Sequence, residues 1–117
     1  MLNLNKFSTL LFFFHFFFIT ILGSIEYEFD AINRIKKISS KEGLTQYEYD
    51  LCNNIIRMED SHGTTKYFYD LFNRLIEIRY QTGESIQYEY DLDDNLTKMI
   101  YPDGSFVCYD YDKDNRT

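Results

Sequence analysis

Apolar residues follow two unrelated patterns in this chain. From Phe7 to Leu22 they run almost unbroken, FSTLLFFFHFFFITIL, with Lys6 before and Gly23-Ser24 after. Beyond that point they alternate with polar residues, in triads at every second position: Ile25-Tyr27-Phe29, Thr45-Tyr47-Tyr49, Thr65-Tyr67-Tyr69, Ile86-Tyr88-Tyr90 and Val107-Tyr109-Tyr111. A period of two, carried by β-branched and aromatic side chains, predicts a strand with one apolar face, because successive side chains leave the pleat on opposite sides. The interposed positions are mostly polar: Glu26 and Glu28, Gln46 and Glu48, Lys66 and Phe68, Gln87 and Glu89, Cys108 and Asp110.

Each triad closes on an aspartate, and Asp30, Asp50, Asp70, Asp91 and Asp112 are spaced by 20, 20, 21 and 21 residues. Gly43, Gly63, Gly83 and Gly104 each follow one of these aspartates by 13 residues. Two markers in one register define an internal repeat, with units starting near residues 25, 45, 65, 86 and 107. Three residues after the aspartate stands Asn33, Asn53, Asn73, Asp94 or Asn115, residue types that accept the left-handed conformation and suit a tight reversal. A second strand is predicted from Ile35, Ile55, Leu75 and Leu96 to Ile38, Met58, Ile78 and Met99. These aliphatic pairs are three apart and would face opposite sides of the sheet unless a bulge intervenes. The glycines end the unit in turns such as Lys41-Glu42-Gly43 and Pro102-Asp103-Gly104, and the change from 20 to 21 falls between glycine and tyrosine. The expected fold is therefore all-β: an antiparallel meander of roughly nine strands over residues 25–117, with a hydrophobic helix before it.

The first 24 residues need a separate account. A mostly apolar stretch of sixteen residues is short of the roughly 20 that span a bilayer, while a preceding lysine and following small residues fit a secretory signal. Segment 1–24 is thus expected to be a signal peptide or a retained membrane anchor through residues 7–22, placing the repeats in a secreted or cell-surface protein. A low-complexity phenylalanine run without a targeting role is the third reading.

Charge narrows the partners. The net charge is -7, and Lys6 is the only charged residue among the first 24, so the repeat region is more acidic still. Phosphate recognition depends on clustered lysine and arginine, which argues against nucleic acid as a partner and against anionic membrane surfaces. Cys52 and Cys108 lack the paired spacing of a zinc or redox motif and, several strands apart, are expected as free thiols.

No catalytic, cofactor-binding or metal-binding residue is expected. His62 occupies a turn position filled by Glu42, Thr82 and Asp103 in other units, and His15 interrupts the apolar run with no ligand near it in sequence. The spacing Asp110-x-Asp112-x-Asp114, echoed by Asp91-x-Asp93-x-Asn95, opens like a calcium loop, but Asn115 and Leu96 stand where the EF-hand loop needs glycine. The recurring tyrosines admit a carbohydrate platform, yet like residues in register are also what a repeat core requires.

The stretch Tyr67-Phe68-Tyr69-Asp70-Leu71-Phe72-Asn73-Arg74-Leu75 and the segment from Tyr88 to Gly104 resemble the YD repeats of Rhs proteins, Tc toxin components and teneurins. The resemblance covers residues 25–117. It implies a β-sheet that coils into a shell around a toxin or effector polypeptide, or supports adhesion at a cell surface. The residues it marks as structural are Tyr27, Phe29, Asp30, Gly43, Tyr47, Tyr49, Asp50, Gly63, Tyr67, Tyr69, Asp70, Gly83, Tyr88, Tyr90, Asp91, Gly104, Tyr109, Tyr111 and Asp112. Family shells use many more repeats than four and a half, so the implied role is a building block, with no enzymatic activity. Its expected partners are other YD-repeat polypeptides or a second copy joined through sheet edges, and a cargo polypeptide. An adhesive or carbohydrate-binding module and a truncated remnant without independent function are the alternatives.

Overall fold

A computed structural model describes residues 23–114. Nine strands follow in order: β1 Glu26–Phe29, β2 Ile35–Ser40, β3 Gly43–Tyr49, β4 Ile55–Asp60, β5 Gly63–Tyr69, β6 Leu75–Arg79, β7 Ser85–Tyr90, β8 Leu96–Ile100 and β9 Phe106–Cys108. Sheet order equals chain order, and every described pairing is antiparallel. The meander is therefore observed. The expected helix and targeting segment fall on residues 1–22, outside the described residues.

The chain divides into two compact units, one ending at Tyr47 and one starting at Glu48. In the first unit Tyr27 lies opposite Ile38, and Phe29 opposite Ile35, with a register shift between Glu28 and Phe29. In the second unit Tyr67 and Tyr69 face Ile78 and Leu75, and Tyr88 and Tyr90 face Met99 and Leu96, with shifts between Phe68 and Tyr69 and between Glu89 and Tyr90. The shift removes the facing conflict in the second strands. One extra residue (Lys36, Ile76 or Thr97) is left without an opposite number, so the two aliphatic residues three apart both meet the aromatic face.

Two reversals alternate. At the aspartate end the amide of Asp30 donates to the Arg34 carbonyl and that of Asn33 to the Asp30 carbonyl, closing a three-residue loop; Asp50, Asp70 and Asp91 repeat it. The third loop residue is left-handed, at φ 64° in Asn33, 66° in Asn53, 61° in Asn73 and 65° in Asp94, as such hairpins require. At the glycine end the first two units turn in two residues, since Ser40 pairs directly with Gly43 and Asp60 with Gly63. The later units use three, because Tyr80 donates to Glu84 and Tyr101 to Ser105. The change in spacing from 20 to 21 is therefore a longer turn.

Among the described residues no side chain is fully buried. The stability of the sheet rests on backbone ladders and on half-burial of neighbouring side chains, not on an enclosed core.

Candidate functional site: the seams between repeats

The aspartate closing each first strand holds its turn. Asp70 Oδ1 accepts from the amides of Phe72 (2.9 Å) and Arg74 (3.0 Å), while Oδ2 accepts from Arg74 Nε at 2.8 Å. Asp30 does the same with Ile32 and Arg34, Asp50 with Cys52 and Asn54, and Asp91 with Asp93 and Asn95. Only an acceptor with two oxygens serves both the backbone and the residue four positions on. Hydrogen bonds from the Arg34 and Asn95 amides hold the Asp30 and Asp91 carboxyls below the ordinary range. At Asp70 partial burial pushes the other way and is outweighed by the hydrogen bonds from Arg74 and Phe72.

Adjacent repeats are stitched on one face by tyrosine hydroxyls. Tyr69 donates to the Ile55 carbonyl at 2.7 Å, Tyr90 to Leu75 at 2.6 Å and Tyr111 to Leu96 at 2.7 Å. Each acceptor is the leading aliphatic residue of the preceding repeat's second strand. A bond of this kind contributes about 1 kcal/mol net, and more is lost if its carbonyl is left without a donor. Burial raises the Tyr69 and Tyr90 hydroxyl pKa values above the usual 10.0. Phe29, the corresponding residue of the first unit, has no hydroxyl and is more than half exposed.

The turns are linked too. Arg74 reaches out of its own repeat to the Asp91 carbonyl at 2.9 Å and to Asp94 Oδ1 at 3.0 Å, with its guanidinium 4.9 Å from the Tyr90 ring centroid. Asn54 Nδ2 donates to Asn73 Oδ1 at 3.0 Å. At the glycine end the Gln81 side chain accepts from the Thr64 amide at 2.9 Å.

The face away from the tyrosines carries charge pairs. Glu28 is opposite Lys37 and Glu89 opposite Lys98 in the ladder, and Arg57 bonds Glu48 at 2.7 Å. Where Phe68 replaces the acid, the residue opposite is Glu77, and Arg79 binds Glu77 while its guanidinium covers the Phe68 ring. Lys98 also lies over the Phe106 ring, 4.7 Å from its centroid.

The tyrosines and aspartates named from sequence thus stand along strands and seams. Gly43 and Gly63 open strands, and Gly83 and Gly104 sit in three-residue loops, all at positive φ. The residues four positions after the aspartates (Arg34, Asn54, Arg74 and Asn95) were missed, and so was Gln81. Their signal was visible, since every one of the four carries a side-chain N–H donor.

His62 lies in the Ser61-His62 turn and is almost wholly exposed. Ser61 Oγ at 3.4 Å and Asp60 Oδ1 at 3.8 Å both approach the same ring nitrogen, Nδ1. A catalytic triad needs the nucleophile and the acid on different nitrogens. Both oxygens of Asp91 are occupied by its own turn, which leaves its calcium-like spacing serving the backbone. Among the described residues no group of three His, Cys, Asp or Glu could hold a metal ion. Cys52 and Cys108 are free and exposed.

Residues 69–105 match the family model described as RHS Repeat. That span runs from the second tyrosine of one unit through the glycine of the next, and includes the Tyr90–Leu75 and Arg74–Asp94 seams. No curated protein matches the chain.

Proposed function

We propose that this chain, whose residues 69–105 match the RHS Repeat family model, is a wall segment of an Rhs-type β-shell, in a secreted or surface protein that encloses or presents a toxin or effector polypeptide. A structural repeat segment carries no chemistry of its own; its work is to hold a sheet together over many units. The observation that supports this reading best is the use of the tyrosine hydroxyls. A carbohydrate platform needs free hydroxyls and ring faces, whereas Tyr69, Tyr90 and Tyr111 each donate to backbone of the neighbouring repeat.

Tyr69→Phe and Tyr90→Phe separate the wall from the adhesive module. As a wall, each variant loses about 1 kcal/mol in urea denaturation, and wild type shows no saturable binding on a glycan array. Saturable glycan binding that disappears in variants of unchanged stability would replace the wall with the adhesive module.

A further inference from the structure

On the face away from the tyrosines, the β5–β6 hairpin departs from the pattern of the repeat. The two outer positions of the first strand hold Glu26 and Glu28, Gln46 and Glu48, or Gln87 and Glu89 in other units, but Lys66 and Phe68 in this one. Nine residues after the aspartate stand Ser39, Glu59 and Ile100 elsewhere, and Arg79 here. The ladder sets Lys66 between two further cations, with Arg57 opposite it on β4 and Arg79 opposite it on β6. Like charges directly opposite destabilise a sheet, so this row does not serve the stability of the repeat. A local rule broken without a gain to the fold points to a binding role.

Acids answer the two outer cations and not the middle one. Arg57 bonds Glu48 and Glu59, and Arg79 gives Nε and Nη2 to Glu77 at 2.9 and 2.8 Å. Lys66 is exposed and has no ion pair among the described residues. Beside it lies a cavity of about 240 Å³ lined by Thr64, Lys66, Arg79, Tyr80, Gln81 and Gly83. No carboxylate stands in that lining. What it presents is donors: the Lys66 ammonium, the Thr64 hydroxyl and Arg79 Nη1, which Glu77 does not use. Gln81 adds a fourth. Its Oε1 accepts from the Thr64 amide at 2.9 Å, which fixes the acceptor end of the carboxamide and leaves Nε2 to donate.

Donors without a carboxylate select an anion. Four of them around one centre suit the three or four oxygens of a tetrahedral group better than the two of a carboxylate. A polyanion would meet the acidic surface of the chain, whereas a single compact group meets the local donors. We propose that this cavity binds a phosphate group, free or carried on a small phosphomonoester, with Lys66 supplying the charge and Arg79, Thr64 and Gln81 the hydrogen bonds. The site lies on the face opposite the tyrosine seams and does not rest on the wall reading.

The test follows the full chain by two-dimensional amide NMR while inorganic phosphate is added at constant ionic strength, with chloride as the reference anion. Saturable shifts are expected at the Thr64 amide and at the Gln81 side-chain NH2. Lys66→Gln should weaken phosphate binding about tenfold, the order expected for loss of a hydrogen bond to a charged group. Gln46 and Gln87 hold the same position in other units, so this variant should fold, with a urea midpoint without phosphate equal to or above that of wild type. Lys98→Gln removes the same charge away from the cavity and should leave the affinity unchanged. Methyl phosphate, run beside inorganic phosphate, separates the sources: tighter or equal binding of the ester assigns a phosphorylated small molecule, and tighter binding of the ion assigns free phosphate. Absence of saturable shifts, shifts reproduced by chloride, full affinity in Lys66→Gln, or equal weakening in both variants would each overturn the proposal. So would a lower urea midpoint in Lys66→Gln, which would make the cation part of the fold. None of these outcomes bears on the stability loss in Tyr69→Phe, so the site can fail while the wall reading stands.

Discussion

At the scale of single residues the structure uses ionisation to hold turns and un-ionised hydroxyls to hold seams. These two devices fail at opposite ends of the pH scale. The Asp30, Asp70, Asp91 and Asp103 carboxyls have folded pKa values below their ordinary 3.8. The stability they contribute is fully present above that value and is lost as pH falls through the lower folded values. Tyr69, Tyr88 and Tyr90 are raised above 10.0, chiefly by burial, so their contribution is present below pH 10 and lost as pH rises through the folded values. The urea midpoint should be level between about pH 5 and pH 9, with an acid and an alkaline limb. Asp70→Asn should lower the plateau and shrink the acid limb, because an amide can keep the two backbone bonds but sets a donor or a neutral oxygen against Arg74 Nε. An acid limb of unchanged size in Asp70→Asn would show that Asp70 does not contribute to it.

At the scale of the element, the decisive details are where the backbone leaves the regular pleat. Gly63 has φ 123°, and an added Cβ would come within 2.7 Å of the Gln81 side chain, whereas Gly83 has φ 90° and nothing within 4 Å. Gly63→Ala is therefore expected to cost more than Gly83→Ala, which carries only the left-handed penalty of about 1–2 kcal/mol. Gly83→Asn should be nearly neutral, as Asn73 already holds φ 61° in the same kind of loop. Combining Gly63→Ala with Gln81→Ala should cost less than the two singles added together, and strict additivity in denaturation would rule out the predicted contact. The strands, the reversals and the left-handed asparagines were legible in the sequence because period two, Asn after Asp-x-x and a recurrent Gly each have one local cause. The bulge was not. Ile35 and Ile38 state a facing conflict, but its resolution depends on the partner strand, with Phe29 skipping Lys36 to meet Ile35. For the same reason Arg74 was legible as a residue of the repeat but not as a seam, since its partners Asp91 and Asp94 lie 17 and 20 residues away.

At the scale of the molecule, a sheet whose described residues enclose no core cannot share stability as a globule does. Each strand touches the strands beside it, so free energy is a sum of unit and neighbour terms, and loss should begin at an edge. The second unit makes this measurable, because among the described residues β9 is bonded on one side only while β6 and β7 are bonded on both. Amide hydrogen exchange should show β6 and β7 as the best protected strands of that unit. Phe106–Cys108 should exchange fastest, with all three residues exposed and only the β8 ladder holding them. Equal protection in every strand would instead mean that the unit opens all at once, as a cooperative body.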